Sequence, residues 1–234
     1  MPAVRRSITA HPVNLVHALS AVAALHRFRR EGRLVQEQAE AAMALANEHG
    51  LPFFTAWATF LQGWARAAQG QGEAGVAQMY HGLTAHGATG ATLGPPPLLA
   101  LLAEALAWVG QVDAGLRVLD EALAAMHQTG VQFYEAEVHR LTGELLLRQV
   151  DGASGSLPRY AAGEARFQQA LAIARQQQAK SLELRAATSL ARLWQQQGKR
   201  TEAYELLAPI YGWFTEGFDT ADLQEARALL EALT

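Results

Sequence analysis

The chain has 234 residues, 50% hydrophobic and 18% charged, enough apolar matter for one globular domain or one solenoid. Its net charge of −3 excludes the basic stripe that a nucleic-acid backbone demands. Cysteine is absent, which excludes disulfides and thiolate metal sites and fits a reducing, cytoplasmic compartment.

Residues 1–12, bracketed by Pro2 and Pro12, read as an irregular lead, and a helix is predicted over about 13–30. Arg5 and Arg6 ahead of NLVHALSAVAAL would also suit a secretory signal. Asn14 and His17 interrupt that apolar part and the stretch runs on as an amphipathic helix, so the helix is preferred. Gly32 is expected to stop it. A second helix, about 35–49, ends at Gly50 and Pro52, and a third, about 53–68, at Gly70 and Gly72. The fourth, about 73–86, dissolves into GATGATLGPPP, a linker over 87–97. A fifth spans 98–109, and Asp113 is the expected N-cap of a sixth that runs to Thr129. After a seventh, about 134–149, VDGASGSLP (150–158) reads as a turn-rich insertion. Helices follow over about 160–178, 181–197 and 201–211, and Asp219 with Asp222 suggests an acidic cap for a last one, about 220–233. No stretch alternates with period two long enough to argue a strand. Apolar runs break before the ~20 residues that a membrane span needs.

Small residues recur at Ala39, Gly75, Gly115, Gly163 and Ala203, in steps of 36, 40, 48 and 40. Removing the insertion brings the long step to about 40. Twelve residues earlier stand Gly63, Ala103 and Ala191, and Arg27 holds that place in the first unit, which weakens it. Small residues on both helices of a pair let the axes approach closely. One pair cannot bury its apolar stripe, so pairs must stack. The fold expected is all-α: a right-handed superhelix of about five stacked helix-turn-helix pairs, as one domain over 13–234. Its units are about 13–51, 53–90, 97–130, 133–179 and 181–217, with a capping helix at 220–233.

This pattern resembles the tetratricopeptide repeat, although its period exceeds the ~34 residues usual there. Four stretches add a closer resemblance: VQEQAEAAMALANEHGLPF (35–53), YEAEVHRLTGELLLRQ (134–149), EARFQQALAIARQQQAKSLELRAATSLARLWQQQGKR (164–200) and ELLAPIYGWFTEGFDTADLQEARALLEAL (205–233). They look like the C-terminal tetratricopeptide region of large bacterial signalling proteins that carry a signal-transduction ATPase, often behind a nucleotide-cyclase or DNA-binding domain. The resemblance implies a region that receives signals or binds partners, with the catalytic modules N-terminal to it. The chain has none of those modules, which suits a fragment or a free-standing remnant.

The residue patterns support a non-catalytic reading. A phosphate loop needs GxxxxGK followed by Ser or Thr. Gly198-Lys199-Arg200 is the nearest match, with Leu193 where the first Gly belongs and Arg200 where the magnesium-binding hydroxyl belongs. His81 and His86 fall on different helical faces, and no HExxH occurs. Neither metal nor cofactor is expected. Glu135 with Glu137, and Glu202 with Glu205, read as solvated faces.

One stripe on the first helix of each unit turns away from its partner helix and in such superhelices lines the concave groove. Here it holds Trp57, Phe60 and Trp64, then Glu104 and Trp108, then Glu137, Arg140, Glu144 and Arg148, then Arg185, Thr188, Arg192, Gln195 and Gln196. The groove is therefore expected to be aromatic at its N-terminal end and charged at its C-terminal end. The aromatic residues are either groove or core covered by preceding helices. Arg140, Glu144 and Arg148 are either a solvated ladder or part of a ligand groove, and a groove would bring Arg140, Glu144, Arg185 and Arg192 to one surface. The leading function is a protein-interaction scaffold for a peptide, a protein segment or the chain's own upstream domains. The alternative is a sensor holding a metabolite in the groove. No direct contact with nucleic acid or membrane is expected, and the edge at 13–30 could pair with another copy.

Overall fold

The computed structural model describes residues 11–91, 96–149 and 156–234. Among them are eleven helices and no strand: α1 Pro12–Phe28, α2 Gly32–Glu48, α3 Pro52–Ala68, α4 Gly72–Ala88, α5 Pro96–Trp108, α6 Val112–Thr129, α7 Glu135–Arg148, α8 Ser156–Gln176, α9 Lys180–Gln196, α10 Arg200–Tyr211 and α11 Ala221–Leu233. Residues 1–10 of the expected lead over 1–12, residues 92–95 of the linker and residues 150–155 of the insertion lie outside the described residues.

The period has a simple origin. Arg30, Gly50, Gly70, Gly90, Gly110 and Gly130 take positive φ at 20-residue intervals. Beyond the turns at Arg30, Gly50, Gly70 and Gly110 the chain closes the helix with a bond five residues back, as when the Leu51 N–H donates to Ala46 O at 2.8 Å and the Gln71 N–H to Arg66 O at 3.0 Å. A 17-residue helix, as in α1 to α4, plus a three-residue turn gives 20, so a pair spans 40. Each helix is thus about three residues, nearly one turn, longer than in a ~34-residue unit.

Several expectations need correction. Gly32 does not stop α1 but opens α2, because the chain has already reversed at Arg30, whose φ is 62°. Asp113 is not an N-cap: Gln111 holds that position without a side-chain bond, and Asp113 Oδ1 accepts from Gln149 Nε2 at 2.5 Å. Pro158 belongs to the first turn of α8, where a missing N–H costs nothing. Thr220, not an aspartate, stands at the N-cap of α11, and its hydroxyl donates to Gly217 O. The first unit is also in a different register. α1 and α3 begin 40 residues apart, so Ala23 and Val35 are the counterparts of Gly63 and Gly75, and both are fully buried. The step of 36 from Ala39 is therefore 40 from Val35. Arg27 lies a turn past the crossing, its guanidinium over the Phe28 ring.

The described helices fall into two compact units, residues 1–93 and 94–234. In the first, each helix packs on the next, and α3 also touches α1. In the second, sequential packing from α5 to α11 is joined by α5 on α7, α7 on α9 and α9 on α11, while α6, α8 and α10 stay apart. The odd helices of this unit thus form a continuous layer. Its middle members are the more deeply buried: α7 and α9 bury nine residues each, and α6 five.

Small residues set the closest approaches. A Cβ on Gly63 would stand 2.7 Å from Gly75 O and from Met79 N, and one on Gly75 only 2.5 Å from Gly63 O. Gly143 faces the Phe167 ring in the same way, and Ala191 and Ala203 meet inside the core of α8 to α11.

Candidate functional site

The charged stripe of α5, α7 and α9 condenses into one ionic network within the second unit. Glu137, 2% exposed, is its centre. Its carboxylate accepts from Arg140 Nε at 2.8 Å and Nη2 at 2.6 Å. Arg185 Nη2 stands 2.9 Å from the same carboxylate. Arg140 Nη1 also pairs with Glu144 and donates to Ser189 Oγ at 3.5 Å, while Ser189 Oγ donates to Glu144 Oε1 at 3.0 Å. The outer sides of Arg185 face Glu104 at 4.0 Å and Asp222 of α11 at 3.8 Å. Helical spacing explains the local part, since Glu137, Arg140 and Glu144 are i, i+3 and i+7 on α7. Stacking of α9 on α7 supplies Arg185 and Ser189.

Burial disfavours charge on both arginines, but the surrounding carboxylates outweigh it and hold both pKa values above the usual range for arginine. Two cations here serve four carboxylates, Glu104, Glu137, Glu144 and Asp222. The cations and Glu137 are deepest, whereas Glu144, Glu104 and Asp222 keep part of their side chains exposed. The network therefore presents carboxylate to solvent.

The other stripe residues are distributed differently. Arg192 does not join the network; it meets Glu225 of α11 at 3.4 Å in an exposed pair. Arg148 leaves the expected ladder and donates to Ala107 O at 2.7 Å, satisfying a carbonyl near the end of α5. Trp108, at the end of α5, is 40% exposed. Thr188 is buried with its hydroxyl donated to Leu184 O, Gln195 is half-buried and Gln196 is exposed. In the first unit Phe60 and Trp64 are core residues, and Trp57 is half-buried with Nε1 unpartnered among the described residues. Burial of Phe60 follows from the α3–α4 approach, since a Cβ on Gly82 would stand 2.7 Å from Phe60 N.

Two features were not read from the sequence. Asp222 joins through α11, which no within-helix spacing could reveal. His139, 3% exposed, accepts at Nδ1 from Arg166 at 3.2 Å. Burial, with help from Arg166 and His127, lowers its pKa to about 4. Among the described residues no group of three or more His, Asp or Glu could hold a metal ion, and no helix is long and apolar enough to cross a membrane.

A protein of Podospora anserina described as a kinesin light chain with nearly identical TPR-like repeats matches with a TM-score of 0.55 at 17% identity, over 96% of this chain and 98% of that one. A variant of it matches with a TM-score of 0.54 at 19% identity, over 87% and 96%. The fold is tetratricopeptide-like. At such identities the likeness concerns the fold alone. No family model matches the chain. An uncharacterised protein of Rhizobium meliloti (strain 1021) is 26% identical over 139 residues, which are 59% of this chain and 14% of that relative.

Proposed function

We propose that this tetratricopeptide-like region is a non-catalytic, cytoplasmic interaction scaffold, the signal-receiving part of a larger bacterial signalling ATPase. A partner segment docks on the odd-helix layer of the second unit. The observation that carries this reading is the network around Glu137. It sets Glu104, Glu144 and Asp222 on a layer of stacked helices, and the half-exposed Trp108 follows Glu104 by one turn of α5. Buried ion pairs contribute little net stability, so their retention suits a preorganised surface. Arg140 and Arg185 act as positioning residues and leave the outward polar contacts to carboxylates. Trp108 supplies the apolar anchor.

The test uses the polypeptide encoded upstream in the same reading frame as the binding partner in calorimetry. Trp108→Ala should weaken its capture by ~30-fold with unchanged helicity. Equal affinity for variant and parent would sink the reading.

A second reading, a metabolite sensor, has one observation of its own. A cleft of about 490 Å³ lies over α3 between α2 and α4, lined in part by Asn47, Thr55, Thr59, His81 and Thr89. Its volume suits a small ligand, but it belongs to the first unit and contains none of the stripe residues. A metabolite that raises the melting temperature, with the rise abolished by Thr59→Leu, would favour this reading.

A further inference from the structure

The outer face of α1 carries an apolar stripe of Leu15, Ala18, Val22 and Leu25, all exposed. Leu15, Val22 and Leu25 are 44%, 39% and 58% exposed. The internal repeat says what kind of face this is. Relative to the small contact residue, positions −5, −2 and +2 are Ala58, Leu61 and Ala65 on α3, Val138, Leu141 and Leu145 on α7, and Ala186, Ser189 and Leu193 on α9. All nine are buried, and each of these helices packs on the pair before it. The same positions on α1 are Ala18, Ala21 and Leu25, and all three are exposed. This face is therefore built like those that receive a helix pair.

We propose that the occupant is a second copy of this chain, packed α1 against α1 in antiparallel, two-fold fashion. Three observations favour it. First, the stripe is symmetric about Ser20. An antiparallel copy sets Leu15 against Leu25 and the small Ala18 against the larger Val22, and the same contacts recur in reverse, as an isologous interface requires. Second, residues 12–25 contain no Asp, Glu, Lys or Arg, so no like charges oppose self-pairing. Third, the last helix offers no alternative seat. The exposed residues of α11 include Gln224 and the ion pair Arg227–Glu231, a polar cap of the kind that ends a repeat array. Head-to-tail stacking is therefore disfavoured, and pairing closes at the dimer. This interface is independent of the docking layer proposed for the second unit.

Light scattering after size exclusion, over the micromolar range, tests this with the full chain. The expected mass is twice the 25.3 kDa of the monomer. Leu25→Glu should return the monomer mass with unchanged circular dichroism, since the residue is exposed within one copy. The chain has no cysteine, so the double variant Ala18→Cys, Val22→Cys reports register directly. Oxidation should give a covalent dimer linked from position 18 to position 22. Three results would overturn the proposal. One is a monomer at every concentration, which would leave the face to a preceding helix pair. Another is a dimer that survives Leu25→Glu, and the third is cross-linking from 18 to 18 alone.

Discussion

Replacing Glu137 by Gln is the most direct probe of the ionic network. The carboxylate accepts two hydrogen bonds from Arg140, at 2.8 and 2.6 Å, and lies 2.9 Å from Arg185. The isosteric amide keeps the volume but loses the charge, and its NH2 points a donor at one guanidinium. At the effective dielectric found in proteins, a charge pair near 4 Å is worth ~4 kcal/mol. Arg140 keeps Glu144 and Arg185 keeps Asp222 at 3.8 Å and Glu104 at 4.0 Å, so part of that is retained. The net loss should match that of breaking a buried pair, ~3–5 kcal/mol. Urea unfolding followed by far-ultraviolet circular dichroism measures it. Glu231→Gln, whose pair with Arg227 is exposed, is the control and should leave the midpoint unchanged. A Glu137→Gln midpoint shift no larger than the control's would refute the network. The triple change Glu137→Leu, Arg140→Met, Arg185→Met should recover much of the stability, because no buried charge is then left unpaired. It should not recover partner binding, because the outward carboxylates lose their anchors.

The glycines separate steric from conformational roles. Gly63→Ala sets a Cβ 2.7 Å from backbone atoms of α4 that cannot yield, and should cost ~1–3 kcal/mol by thermal unfolding. Gly115→Ala meets a Leu145 methyl at 3.0 Å, which can rotate away, and should be near neutral as the gain in helix propensity, ~1 kcal/mol, offsets the contact. Acid should destabilise the second unit through His139. Its folded pKa is about 4 and its unfolded value is ~6.5. The unfolded chain therefore takes up the proton first, and stability is lost as pH falls from ~6.5 towards 4, by up to ~3 kcal/mol. His139→Gln should flatten that slope in pH-dependent urea titrations. Arg192→Ala removes only an exposed pair with Glu225 and should change stability by ~0–1 kcal/mol; a larger loss would mean that Arg192 belongs to the buried network after all.

The helices were legible because their signals are local. Gly70, Gly110 and Gly198 stop helices through their own left-handed backbone, and Gly63 with Gly75, or Ala191 with Ala203, mark crossings through their own lack of bulk. The first unit misled for a related reason. Ala39 is small and buried, like the true contact residues, but the crossing falls at Ala23 and Val35, and a Val there carries no small-residue signal. Helical spacing grouped the charged stripe along each helix. Its fate was not readable, since Arg140 and Arg192 look alike in sequence and differ only in what α11 and Glu137 place beside them.

By itself, then, the sequence determined the helical class, the turn positions, most of the small-residue crossings and the grouping of Glu137, Arg140 and Glu144 on one face. Each of these depends on spacing within about 40 residues. Tertiary structure alone decided that Phe60 and Trp64 are core, that Arg185 and Asp222 close the network around Glu137, and that Arg192 stays outside it. It also left the apolar face of α1 open. Burial and charge pairing depend on which helix packs against a face, and that neighbour is set by how the pairs stack.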